Sequence, residues 1–237
     1  MSSWKSYWAN NPKLFMRVME NSTRYFSNKL LKLKLIVDSD NLLDYGCGPG
    51  NFAHELKGKI GCYYGVDISE NYIQQANKKM GAFPEFHFIH LHTNHPINEL
   101  KQFSEQGQFF HSIIIFSVVQ YFNSKEEVSA LLEKCKSILY PTGKIILADI
   151  IENEKGVWKD LWSICMHSLA HGYFISFLFF MARIKFSNYN TVKNKCMLLH
   201  ISQAEVEEIC KNMGLACSIL PKITLQKSRN SFCIALK

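Results

Sequence analysis

Five short, nearly unbroken apolar runs recur along the chain: NLLDYG from Asn41, CYYGVDI from Cys62, FHFIHL from Phe86, FHSIIIFSV from Phe110 and KIILADI from Lys144. They start roughly 20 to 35 residues apart with helix-patterned stretches between them, the rhythm of repeated βα units. A run without polar alternation must be buried on both faces, and such strands belong to parallel sheets covered by helices. Two further runs, LACSIL from Leu215 and SFCIALK from Ser231, lie on either side of a polar segment and are expected to pair antiparallel at the sheet edge. The expected fold is α/β: a doubly wound, mostly parallel, seven-stranded sheet.

Helix start signals fall between the runs. Ser69 precedes Tyr72, Ile73 and Ala76, and Ser124 precedes Val128, Leu131, Leu132 and Cys135 at helical spacing. Ser202 and Glu205 form a capping box ahead of Val206, Ile209 and Cys210, with Gly214 placed to end that helix. Leu14, Phe15, Val18 and Met19 have helical spacing without strand alternation. The expected organisation is one domain over 1–237. It comprises an N-terminal helical extension (1–40), a core (41–150), an inserted helical cap (151–200) and a C-terminal helix with a strand pair (201–237).

Composition narrows the class. A chain of 237 residues that is 47% hydrophobic and 20% charged has enough apolar material for a substantial core, which excludes a disordered polymer. The net charge of +7 favours an anionic partner, but the basic residues are scattered, with only Lys29, Lys32 and Lys34 as a local run, so nucleic acid is not the expected partner. The eight cysteines form no C-x-x-C pair and no zinc spacing, and the first residues carry no apolar leader core. Reduced thiols, no metal and a cytoplasmic location are expected.

The chemistry concentrates in the first two strand-to-helix turns. Asp44 is followed by Gly46, Cys47, Gly48, Pro49 and Gly50, a loop whose glycines permit positive φ and close backbone approach to a ligand. The second strand ends in Asp67, an acid that can accept both hydroxyls of a ribose. Nicotinamide enzymes share this logic, but their fingerprint is G-x-G-x-x-G, and here Asn51 stands where the third glycine belongs. Asp44 would also repel a pyrophosphate, whereas it suits a ligand with an ammonium group.

With these residues in place the chain resembles the class I S-adenosylmethionine-dependent methyltransferase family from about residue 41 to 150. LLDYGCGPG is similar to that family's first motif, YYGVDISENYIQQANKK to its second, FFHSIIIFSVVQYF to its fourth-strand motif and LYPTGKIILADII to its fifth. The resemblance implies S-adenosyl-L-methionine as cofactor, held by Asp44, Gly46, Gly48 and Gly50, with Asp67 on the ribose and Ile68 on the adenine. Phe116 and Ser117 would lie by the methionine moiety. Where the family usually places an acid for the adenine amino group this chain has His92, whose neutral imidazole can accept such a bond, with Thr93 as the alternative. His111 replaces an Asp at a peripheral position, and no N/D-P-P-Y signature follows the fourth strand, which disfavours base or amide nitrogens as acceptors.

The stretch 161–182 (LWSICMHSLAHGYFISFLFFMA) breaks the βα rhythm and is almost uncharged. Its length matches a bilayer span, but a span here would separate sheet strands, so a helical cap is expected. Trp162, Phe174, Phe177, Leu178, Phe179, Phe180 and Met181 would line an apolar acceptor chamber, and Arg183, Lys185, Lys193 and Lys195 would favour an anionic lipid surface. A second subunit is another partner such a cap can meet. His167 and His171 share one helix face. They are the catalytic candidates, with polar punctuation of the cap as the alternative. His200, Asp149 and Gln120 are further candidates expected at the mouth of the site, with a structural role expected ahead of a catalytic one. Tyr7 and Trp8 can form a lid or pack as core. The expected function is methylation of a small, hydrophobic or lipid-like metabolite by in-line transfer. An RNA or protein methyltransferase is the second reading, and a non-catalytic cofactor-binding module the third.

Overall fold

The computed structural model describes Trp4, Tyr7, Trp8 and residues 16–92, 95–186 and 197–237, without the side chains of Met16, Glu154 and 183–186. Helix α1 (Met16–Lys32) precedes β1 (Asn41–Tyr45), α2 (Asn51–Leu56), β2 (Cys62–Asp67), α3 (Glu70–Met80) and β3 (Phe86–His90). Then come α4 (Lys101–Glu105), β4 (Phe110–Phe116), α5 (Lys125–Ser137) and β5 (Leu139–Ile150). The cap helices α6 (Val157–Ala170) and α7 (Phe174–Phe186) lead to α8 (Gln203–Asn212), β6 (Leu215–Ile219) and β7 (Asn230–Leu236).

The strands form one seven-stranded sheet in the order β3-β2-β1-β4-β5-β7-β6. The first five are parallel, and β7 runs antiparallel to both β5 and β6. All seven apolar runs of the sequence are strands of this sheet, and the last two form the antiparallel pair.

Both sheet faces are covered because the central strands are apolar on both. Leu43, Ile113, Ile115, Ile145 and Leu147 join α5 and α8 on one side. The alternate residues Leu42, Ile114, Ile146 and Ala148 join Phe26 and Leu30 of α1 and Phe52 and Leu56 of α2 on the other. The period of two along each strand thus feeds two cores.

The helix starts follow their capping chemistry. Ser69 accepts from the Tyr72 amide, and the Ser202–Glu205 box is closed in both directions. Gly214 has φ 68°, the left-handed residue that ends α8. Ser124 stands at the N-cap of α5, but its side chain makes no capping bond. Leu14, Phe15, Lys193 and Lys195 lie outside the described residues, as do the side chains of Arg183 and Lys185.

The uncharged stretch 161–182 is not one long helix. Gly172, with φ 71°, breaks it into α6 and α7 of 14 and 13 residues. No helix among the described residues is long and apolar enough to cross a membrane. Instead Ile164 and Phe177 pack against Val18 of α1, which seats the cap over one end of the sheet.

Removing the box that starts α8 should cost about 1 kcal/mol in Ser202→Ala. For a chain of this size that lowers the melting temperature by about 2–4 °C, measurable by calorimetry; an unchanged midpoint would mean that α8 does not depend on its cap.

Candidate active site

A cavity of about 550 Å³ opens at the carboxyl ends of β1, β2, β4 and β5, the crevice where doubly wound sheets place ligands. The glycine loop after β1 forms one wall. Gly46 and Cys47 donate their amides to the Val66 carbonyl at 2.8 and 3.1 Å, which binds the loop to the end of β2. Gly46 has φ 82°, and a Cβ there would meet Val118 Cγ2 at 2.4 Å. Gly48 has φ 55° with open space where its side chain would be, so backbone alone faces the cavity.

Two buried acids stand in this wall. Asp67 accepts from the Gly48 amide at 2.9 Å and from the Ser69 amide at 2.8 Å, one bond to each oxygen. Burial outweighs these bonds and pushes its carboxyl up to about 6. Asp44 accepts from the Tyr63 hydroxyl. Its carboxyl is pushed up to about 7, chiefly by burial, with Asp67 adding repulsion. Among the described residues no basic side chain pairs with the Asp44 carboxyl.

Of the residues singled out from sequence, Asp44, Gly46, Gly48, Asp67, Ile68, Phe116 and Ser117 line this one cavity. Gly50 does not. With φ 75° it caps α2, and a Cβ there would press on Ala76 at 3.0 Å, so its role is close packing against α3. His92 also points elsewhere. Its ring Nδ1 lies 3.0 Å from Glu99, whose other oxygen accepts the His92 amide at 2.7 Å, and its side chain is 82% exposed. Leu91 and Pro96 line the cavity at that edge instead, and Thr93 lies outside the described residues.

The histidines of the cap are likewise absent from the cavity wall. His167 and His171 stack on each other with ring centroids 3.8 Å apart. His167 Nδ1 is 2.7 Å from the Tyr173 hydroxyl, and His171 Nδ1 is 2.9 Å from the His167 carbonyl. Burial and the neighbouring His171 lower the His167 pKa. Spacing of four brought the rings together, but as local packing at the end of α6.

The cap contributes Val157, Leu161, Ile164, Phe180 and Met181 to the wall, whereas Trp162, Leu178 and Phe179 face outward. Phe177 is buried against Val18 and Ile164, with Phe174 packed on the same cluster. Trp4 and Trp8 line the cavity, and Tyr7 is buried beside them. His200, Gln120 and Asp149 are all on the wall. Sequence reasoning missed the Asp160–Arg229 pair, 2.9 Å apart on the same wall. Nothing local marks two residues so distant in sequence as partners.

The methyltransferase-domain family model matches residues 36–214, well over half of the chain. The chain belongs to this methyltransferase-domain family. It is 27% identical over 137 residues to phosphoethanolamine N-methyltransferase of Plasmodium falciparum, a match covering 56% of this chain and 48% of that protein. A second stretch is 27% identical over 152 residues to chondramide synthase of Chondromyces crocatus, 63% of this chain and 4% of that one. The matched region thus spans half or less of these relatives. Among solved structures, the magnesium protoporphyrin IX methyltransferase of Synechocystis with bound SAM superposes with a TM-score of 0.58 at 14% identity, covering 97% of this chain and 92% of that one. An O-methyltransferase from Nostoc punctiforme gives 0.60 at 15% identity, over 97% and 60%. These likenesses establish the shared fold.

The buried Asp44 makes stability depend on pH in a definite direction. Its folded pKa, about 7, lies above the ordinary 3.8, so the folded state holds the proton more tightly. Stability from this group is present below the unfolded value and is lost as pH rises toward 7. In ligand-free protein, Asp44→Asn should gain stability relative to the parent as pH is raised from 4 to 7. Parallel melting-temperature profiles for the two proteins would show that Asp44 titrates as an ordinary carboxylate.

Proposed function

We propose that this cavity holds S-adenosyl-L-methionine and that the enzyme methylates a small, apolar or lipid-like acceptor admitted under the cap. The observation that carries this reading is the pair of buried acids, Asp44 and Asp67, in a cavity whose remaining wall is largely apolar and runs into α6 and α7. The residues fit the cofactor's chemistry. Among the described residues Asp44 has no counter-ion, which an ammonium group would supply, and Asp67 has a remaining lone pair on each oxygen for ribose hydroxyls. Gly46 and Gly48 would pass the backbone along it, Ile68 would pack on the adenine, and Phe116 and Ser117 would face the methionine portion.

When bound, the cofactor supplies an electrophilic methyl group on a sulfonium. The protein's part is to hold the acceptor behind that methyl and to exclude water; such orientation contributes about 7–11 kcal/mol. Phe180, Met181, Leu161 and Ile164 form an apolar roof suited to both tasks. The outward face of the cap suggests where such an acceptor is met. Trp158, Trp162, Ile175 and Phe179 are 82%, 67%, 71% and 65% exposed, an apolar surface with Lys155 and Lys159 beside it. We read it as a transient contact with an anionic membrane surface by an enzyme of the cytoplasm.

Calorimetry should show S-adenosylhomocysteine binding and NAD not binding, with Asp67→Ala weakening the former by about tenfold or more. Binding of NAD in its place, or full affinity in Asp67→Ala, would overturn the assignment.

Vesicles of phosphatidylglycerol and phosphatidylcholine should sediment the parent protein but not a Trp162→Ser, Phe179→Ser variant, since both rings face solvent and not the core. Equal sedimentation of the two would remove the membrane contact while leaving methyl transfer untouched.

A further inference from the structure

Two backbone positions in this site carry strain. Among the described residues, Ser117, Asp149, Lys34 and Lys222 are the non-glycine residues with positive φ. Ser117 follows β4 at φ 59°, and Asp149 sits near the end of β5 at φ 68°. The two touch: Ser117 Oγ donates to Asp149 Oδ2 at 2.6 Å. Left-handed conformations cost free energy for residues with a Cβ, and they persist where the surroundings enforce them, often at ligand sites.

The enforced geometry leaves a vacancy in the hydrogen bonding. Asp149 is buried on the cavity wall, and its second oxygen, Oδ1, has no hydrogen-bond partner among the described residues. Gln120, also buried on that wall, has an equally unpartnered Oε1. Both atoms are acceptors, and burying an acceptor unpaired is unfavourable. Arg229 Nε donates to Asp160 at 2.9 Å, the other Asp160 oxygen takes the Ser228 amide at 2.8 Å, and the guanidinium's charge also acts on Asp149. Burial raises the Asp149 carboxyl, while Arg229 and the Ser117 hydroxyl oppose the rise. Four carboxylates, Asp44, Asp67, Asp149 and Asp160, line the cavity against the one guanidinium of Arg229 among the described residues.

We infer that Asp149 is a catalytic residue on the acceptor side: its Oδ1, with Gln120 Oε1, receives the hydroxyl or amine that is methylated, so the acceptor is a hydrogen-bond donor on an apolar body and not a carboxylate or phosphate at the reacting end. The inference rests on the cofactor reading above. In the step it implies, a lone pair on the acceptor's oxygen or nitrogen forms the new bond to the methyl carbon. The carbon–sulfur bonding pair stays on sulfur, and the acceptor's proton passes to Asp149 Oδ1. The strained Ser117–Asp149 contact fixes which oxygen is free for this role.

The test is ligand binding to the full chain saturated with S-adenosylhomocysteine, using 4-ethylphenol, 4-ethylaniline and 4-ethylbenzoate, which share one apolar body and differ in the head group. The phenol and aniline should bind, and the benzoate should bind at least about tenfold more weakly, because an anion would face Asp149. Asp149→Asn, with a residue that tolerates positive φ, should relax the discrimination against benzoate. Asp149→Gly should also weaken the phenol. Thermal melts report whether both variants fold. Benzoate binding as tightly as phenol, no probe binding at all, or both variants keeping the parent's ranking would each overturn the inference. Failure of S-adenosylhomocysteine to bind would instead overturn the cofactor reading, and the inference with it.

Discussion

One carboxylate ties the two loops of the site together. Asp67 ends β2 and takes an amide from Gly48, in the loop after β1, and another from Ser69, at the start of α3. The glycine loop has few side chains with which to anchor itself, so its shape depends on such backbone bonds, helped by the Val66 carbonyl that receives Gly46 and Cys47. Positive φ at Gly46, Gly48 and Gly50 gives the chain the freedom to make that turn, and Asp67 removes the freedom again. The same side chain therefore holds the loop and the start of α3 in one arrangement. Burial lifts both carboxyls in the ligand-free protein, and at Asp44 the neighbouring Asp67 adds repulsion.

What could be read from sequence was whatever is local. The central strands were legible because a strand apolar on both sides must be covered on both, and Leu42–Leu43 and Ile113–Ile114–Ile115 show both sides filled. Ser69 and the Ser202–Glu205 box were legible because capping is settled within four residues. The cap was legible as a cap but not in its orientation. In a helix apolar all round, Phe179 and Phe180 look alike, yet one faces solvent and the other the cavity. His92 went astray for a related reason: motif position implied an adenine contact, while Glu99, seven residues on, supplies a competing acceptor for its ring and its amide. Gly50 was a true requirement of the loop, but for the approach of Ala76. Asp160 and Arg229 meet through tertiary structure alone.

The division of labour across the cavity follows the layers of the fold. One wall comes from the ends of β1 and β2 and is rich in backbone and carboxylate. The opposite wall gathers Asp149 from β5, Gln120 from the turn after β4, Arg229 beside β7 and the apolar roof of the cap. The first wall is assembled from contiguous motifs, the second from segments scattered over more than a hundred residues.

The tryptophans give this arrangement a built-in optical readout. Of the chain's four, Trp4 and Trp8 line the cavity beside Tyr121, while Trp158 and Trp162 stand in solvent on the far face of α6. Indole emission reports local polarity, so the protein carries two spectrally separable populations without any label. Iodide in solution quenches the outer pair and leaves the inner pair shielded. Occupancy of the cavity and coverage of the cap can therefore be followed in a single cuvette, as independent changes in blue-shifted and red-shifted emission.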